Sequence, residues 1–244
     1  MFITSLILTL ACSQTSYSNN FNRNVWGKFE EPINACYTTN AGQVVQQNGA
    51  MRITANAAGT YLSNHVIAQH KVNFTGTWGR MTYRIDFYID ADGLNNLTFP
   101  QTGPEVSVQN TRQINSSFIT NTVGIQYVAN PWDRKWNVWT QISPGVAGWV
   151  QFQGPTLVPR SWYSLTLKAN FNTNTYMSAM LCRGGSCQLL PIGGLDIADE
   201  LKWSESALWL TAEVENLWQS QCGGAGAQPL SATVLYDNVN FAIK

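Results

Sequence analysis

A strict two-residue alternation of apolar and polar side chains is what most limits this chain. In the run from Met81 to Asp90, Met81, Tyr83, Ile85, Phe87 and Ile89 fall on one side, and Thr82, Arg84, Asp86, Tyr88 and Asp90 on the other. Successive side chains of a strand point to opposite faces, so this pattern makes a half-buried β-strand rather than an amphipathic helix. Further strands are predicted at 50–55, 61–69, 104–110, 122–129, 136–142, 148–152, 162–171, 175–182, 187–190, 207–215 and 232–242. Gly, Pro and Asn clusters separate them, as at 90–96, 101–104, 143–148 and 153–160. Only 194–206 reads as a helix. Many short strands with one short helix exclude alternating βαβ units and predict an all-β fold, a two-sheet antiparallel β-sandwich or jelly roll. No repeat, linker or charge run divides the chain, so residues 19–244 are expected to form one domain.

The start reads as an export signal. Residues Phe2 to Cys12 are mainly apolar, and small polar residues follow from Ser13 to Ser18. The apolar run is too short to span a bilayer, which needs ~20 residues. It has the form of a secretory signal over residues 1–18, with a lipid anchor at Cys12 or a genuine first strand as the alternatives, and predicts a secreted or cell-surface protein without a membrane span. Loss of Cys12 with that segment leaves Cys36, Cys182, Cys187 and Cys222. Cys182 and Cys187 flank Gly184-Gly185, a turn between strand-like segments, and are expected to bond across a hairpin. Cys36 is then left for Cys222, closing a long loop with a contribution of about 4 kcal/mol.

Composition narrows the partners. Only 11% of residues are charged, with 14 basic against 14 acidic. Nucleic acid is not an expected partner, because phosphate binding needs clustered Lys and Arg. Polarity comes from 23 Asn and 16 Gln, accompanied by 10 Trp. Amides and aromatic faces together suit an uncharged, hydroxyl-rich ligand. His65 and His70 are five residues apart, on opposite faces of one strand, and do not make a ligand pair. No G-x-S-x-G elbow, P-loop, dinucleotide fingerprint or EF-hand occurs.

Both ends carry a familiar pattern. Trp26-Gly27-Lys28-Phe29-Glu30-Glu31-Pro32 and Val234-Leu235-Tyr236-Asp237-Asn238-Val239-Asn240-Phe241 resemble the opening and closing strands of secreted jelly rolls of the concanavalin A-like lectin/glucanase superfamily and related carbohydrate-binding modules. The resemblance covers roughly residues 25–244. It implies a curved sandwich whose concave sheet handles glycans, and a polysaccharide as partner. It does not imply catalysis, since the fold hosts lectins, hydrolases and lyases alike. It also implies a structural Ca²⁺ where the first and last strands meet, with Glu30, Glu31 and Asp237 as hard oxygen ligands.

Parity selects the residues for such a face. Val106 and Val108 face the core, so Glu105, Ser107, Gln109 and Thr111 face away. Leu208, Leu210, Ala212 and Val214 face the core, so Trp209, Thr211, Glu213 and Glu215 face away. The same test selects Arg84, Asp86 and Tyr88, then Gln126, then Trp139 with Gln141, and a polar row of Trp162, Ser164, Thr166, Lys168 and Asn170. Trp132 and Trp136 are expected either to form a rim platform for a sugar chain or to anchor a loop. These rows predict a glycan-binding protein using Arg84, Asp86, Tyr88, Gln109, Gln126, Trp139 and Trp209. The alternative is a glycoside hydrolase, with Glu105 and Glu213 or Glu215 as paired catalytic carboxyls. Such pairs stand about 5–5.5 Å apart in retaining enzymes and about 6.5–9.5 Å apart in inverting ones. A lyase would draw on Tyr88, Gln109 and Arg84 or Arg112. An extracellular structural or filament-forming protein would instead associate through an edge strand.

Overall fold

The computed structural model describes residues 15–22, 25–31, 42–57, 63–72, 79–89, 101–129, 134–217 and 230–244. Among these residues, fifteen strands form two antiparallel sheets. The first sheet runs, in spatial order, β13 (Ser186–Leu190), β12 (Thr175–Arg183), β11 (Trp162–Asn170), β6 (Arg80–Ile89), β15 (Leu230–Ile243), β4 (Ala50–Ala57) and β3 (Gly42–Gln47), with β1 (Thr15–Asn19) also pairing β15. The second runs β10 (Val146–Phe152), β9 (Arg134–Ser143), β8 (Ser117–Ala129), β7 (Gln101–Ile114), β14 (Ala207–Leu217), β5 (Ser63–Val72) and β2 (Gly27–Glu31).

The alternation that predicts these strands also builds the core. Met81, Tyr83, Ile85, Phe87 and Ile89 from the first sheet meet Val106, Val108, Val123, Ile125, Leu208, Leu210, Ala212 and Val214 from the second, all buried. Each sheet therefore keeps one polar face directed away from the core. Residues 1–14 lie outside the described residues, while residues 15–19 pair with the last strand, so the expected signal boundary at 18 falls inside β1.

The predicted helix is a correction. No helix occurs among the described residues, and 194–206 is an extended strap. Its backbone bonds outward instead of along itself. The Ile197 amide donates to the Asn174 carbonyl (2.7 Å), and the Tyr176 amide to the Leu195 carbonyl (2.9 Å). The Gln141 amide donates to the Asp196 carbonyl (3.1 Å), and Thr120 and Glu200 exchange two bonds (2.8 and 2.9 Å). The strap thus joins β12 of one sheet to β8 and β9 of the other, satisfying peptide groups that a short helix would leave orphaned at its ends.

Cys182 and Cys187 stand directly opposite in the β12–β13 hairpin and are disulfide-bonded. Cys36 and Cys222 lie outside the described residues. Among the described residues no helix is long and apolar enough to cross a membrane.

Candidate functional site

The outward face of the second sheet carries an ordered set of polar rows. Register places Asn137 opposite Gln126, Gln126 opposite Glu105, and Glu105 opposite Glu213, across β9, β8, β7 and β14. These four side chains are only 4–8% exposed, although they point away from the core. The adjacent row is Trp149, Trp139, Gly124, Ser107, Thr211 and Gln69. The next contains Thr122, Gln109, Trp209 and Lys71. At Gly124 the missing side chain leaves a shallow floor: a Cβ there would lie 3.4 Å from Ser107, Trp139 and Trp149.

A hydrogen-bond chain fixes part of this face. The Ser107 and Thr211 hydroxyls are 2.7 Å apart, and Thr211 donates to Glu213 Oε1 at 2.5 Å. Directly opposed residues of an antiparallel pair have Cβ atoms about 4.5–5.5 Å apart. Glu105 and Glu213 are thus held as neighbours on one surface. Two buried polar atoms here, Thr122 Oγ1 and Trp209 Nε1, have no hydrogen-bond partner among the described residues.

The strap supplies the rim. Trp139 Nε1 donates to Glu200 Oε2 (3.0 Å), Trp203 Nε1 donates to Gln109 Oε1 (2.9 Å), and Lys71 pairs with Glu205 (2.9 Å). Lys71 also lies 5.5 Å above the Trp209 ring, and the Trp203 and Trp209 rings are 6.4 Å apart. Trp149 packs edge-on against Trp139. Trp149 and Trp203 remain 37% and 39% exposed, so their rings are available to a ligand. Sequence reasoning missed both: Trp203 lay in the predicted helix, and Trp149 in an edge strand without marked alternation.

Three tyrosines of the first sheet reach through the core to brace this face from behind. Tyr83 Oη donates to the Thr211 carbonyl (3.3 Å), Tyr176 Oη to the Trp139 carbonyl (2.7 Å), and Tyr236 Oη to the Glu213 carbonyl (2.6 Å). Burial pushes all three hydroxyls well above the usual tyrosine range, so they remain protonated donors.

The expected residues divide between two surfaces. Glu105, Gln109, Gln126, Trp139, Trp209 and Glu213 share the second sheet's outward face. Glu215 belongs to the same strand, but its side chain is outside the described residues. Arg84, Asp86 and Tyr88 lie on β6, on the outward face of the first sheet, beside Trp162, Ser164 and Thr166. There Arg84 Nε donates to Ser164 Oγ (2.9 Å), and the Tyr88 and Trp162 rings are 5.5 Å apart. The grouping of both sets on one concave face is therefore corrected: parity identifies an outward face but not the sheet that owns it.

The lyase parts separate further. Arg112 shares the inward parity of Val108, donates to Asn121 Oδ1, and lies 3.9 Å from Asp199. Burial lowers its pKa to about 10 against the opposing pull of Asp199. Trp132 is outside the described residues, and Trp136 is buried core, packed on Tyr127 and Phe152, so it anchors a loop and forms no rim platform. Asp237 stands opposite Asp86. Burial raises its pKa, the Asn238 amide draws it back, and Asp86 raises it again. Glu30 and Glu31 sit on β2, at the edge of the other sheet, with side chains outside the described residues. Among the described residues, no three His, Cys, Asp or Glu converge as metal ligands.

No protein-family model matches the chain, and no curated protein matches it in sequence. Solved structures do match in fold. Basic winged bean lectin, solved with Tn-antigen, is 10% identical with a TM-score of 0.53, over 95% of this chain and 99% of that chain. Alginate lyase Aly36B is 12% identical with a TM-score of 0.50, over 93% of this chain and 96% of that chain. The chain thus shares the jelly-roll fold of these structures, the architecture that its end motifs suggested.

Proposed function

We propose that this is a secreted protein that binds a polysaccharide on the outward face of its second sheet. The observation that carries the reading is the buried row Asn137, Gln126, Glu105 and Glu213, flanked by Trp139, Trp149, Trp203 and Trp209. A merely solvated sheet face has no need for amides and carboxylates sunk below a tryptophan rim. Tryptophan faces stack on the C–H faces of sugars, while amides and carboxylates bind their hydroxyls. The sugar-bound lectin and the lyase among its fold neighbours support a carbohydrate partner. The Cys182–Cys187 bond supports export to an oxidising compartment.

Trp209→Ala tests the reading. A glycan array followed by titration with the best ligand should give binding weaker by about 1–3 kcal/mol, with little change in melting temperature. Unchanged affinity would sink the proposed face. Unfolding would mean that Trp209 belongs to the core.

Glycan cleavage is the second reading, favoured by the direct opposition of Glu105 and Glu213. Opposed glutamates of adjacent strands can bring their carboxyls to the separation of a retaining glycosidase. One would attack the anomeric carbon, and the other would protonate the leaving oxygen.

A structural Ca²⁺ near Asp237 is also proposed, because Asp86 stands opposite as a second hard oxygen donor. Glu30 or Glu31 would have to complete that set. Binding at a hundred times the dissociation constant stabilises by about 2.7 kcal/mol. EDTA should then lower the melting temperature by roughly 5–10 °C. An unchanged value removes the ion.

A further inference from the structure

We propose that a second, uncharged saccharide site lies in the cleft beside β1, apart from the outward face of the second sheet. The cleft has a volume of about 630 Å³ and is lined by Tyr17, Asn20, His70, Asn238 and Asn240, among others. None of the residues of the second-sheet face enters it, so it stands independently of the function proposed above.

Its wall is aromatic. Tyr17 stacks on His70 with ring centroids 4.3 Å apart and planes within 26°, and Trp26 lies beside the pair, 6.0 Å from the His70 ring. Phe21 closes the back of Trp26. The fringe is made of amides already held at one end. Asn238 Nδ2 donates to Asp86 Oδ2 (2.9 Å), and Asn240 Nδ2 donates to the Asn238 carbonyl (3.0 Å), leaving both Oδ1 atoms as acceptors. Asn20 Oδ1 accepts from the Asn22 amide (3.4 Å), leaving its NH₂ as a donor. Tyr17 Oη accepts from Asn19 Nδ2 (2.9 Å) and Trp26 Nε1 (3.0 Å), so its own proton is left to donate. His70 Nδ1 lies 3.2 Å from the Val25 carbonyl and must carry the proton there, which makes Nε2 an acceptor.

This set alternates fixed donors and acceptors around a flat ring face. Hydroxyl groups, each both donor and acceptor, complement it; a carboxylate would meet the oxygens of Asn238 and Asn240. Among the described residues, no Lys, Arg, Asp or Glu lines the cleft. Burial also holds His70 below the usual histidine range, so the wall stays neutral near pH 7. The occupant is accordingly a neutral sugar chain rather than a uronate or a cation. Two sites on one chain would let the protein bridge or grip a polymer at two points, gaining avidity without new contacts.

The site needs Tyr17, so an export signal must end ahead of β1 for it to exist. The test uses the full chain and follows the ring resonances of Tyr17 and His70 by NMR. Neutral gluco-, manno- and galacto-oligosaccharides are titrated in turn, with an oligo-uronate as the charged control. At least one neutral series should shift both residues, and the uronate should not. Asn240→Ala should weaken that response about tenfold, since each 1.4 kcal/mol is one decade of affinity, and Tyr17→Ala should abolish it. Should Tyr17→Ala fold poorly, the exposed Asn240→Ala variant decides. The His70 response must persist in Trp209→Ala, which weakens only the other face, so failure at either site reads separately. The proposal is overturned if no neutral series moves His70, if Asn240→Ala leaves the response intact, or if Trp209→Ala removes it.

Discussion

Trp136→Ala is expected to lower stability by about 3–5 kcal/mol, the range for deleting a large buried aromatic side chain. At roughly 2–4 °C per kcal/mol for a domain of this size, the melting temperature should fall by about 6–20 °C. The indole is 1% exposed, tilted against Tyr127 at 5.0 Å and stacked near Phe152 at 6.2 Å. Its Nε1 donates to the Pro155 carbonyl at 2.8 Å, fixing the connection that leaves β10. Gly154 is pressed against the same ring: a Cβ there would lie 2.4 Å from Trp136 Cδ1. Gly154→Ala should therefore also destabilise, by about 1–3 kcal/mol of overpacking. Thermal unfolding of both variants checks this. Glycan affinity, measured well below the transition, should change little in Trp136→Ala. A selective loss of affinity at full stability would instead restore Trp136 to a sugar platform.

Trp136 also marks the limit of sequence reading. Its inward direction follows from Val138, two residues on, yet its place in a tryptophan-rich run left a rim platform and a loop anchor equally open. Parity worked wherever a strand was long and half-buried: Val106, Val108, Leu208 and Leu210 all proved to be core, as did Met81 to Ile89 at alternate positions. Short polar strands were lost. β1 is Thr-Ser-Tyr-Ser-Asn and β3 is Gly-Gln-Val-Val-Gln-Gln, and both are ordered by pairing with β15 and β4 rather than by their own patterns.

The larger failure was topological. β6 and β7 follow one another in sequence but lie in different sheets, so Arg84 and Gln109 face away from the core in opposite directions. Local alternation carries no information about which sheet a strand joins. The opposition of Glu105 and Glu213 likewise rests on register between strands a hundred residues apart, which no local pattern encodes. The strap misled for a related reason: Leu195, Ile197 and Ala198 fit a helical stripe, but its peptide groups are satisfied by Asn174, Tyr176, Gln141 and Thr120.

Glu105→Gln should divide the two readings of the second-sheet face. The amide keeps the shape and much of the hydrogen bonding of the carboxylate, but it cannot act as nucleophile, acid or base. In a binder, affinity for the cognate polysaccharide should shift by no more than about 1.5 kcal/mol, the scale of one hydrogen bond. In a glycosidase, release of reducing ends should fall by at least about 10²–10⁴-fold, the contribution of a single positioned acid or base, while binding persists. Glu213→Gln should repeat the result, since Glu213 stands directly opposite on β14. Its carboxylate also accepts the Thr211 hydroxyl proton at 2.5 Å, an interaction the amide oxygen can retain. The pair therefore predicts matched losses of turnover in two variants that still bind. If wild-type protein releases no reducing ends from any polysaccharide that it binds, cleavage is excluded for those ligands and the carboxylates are hydroxyl ligands. If either variant loses binding and turnover in equal proportion, the glutamates hold the sugar without doing chemistry on it, and the enzyme reading fails there.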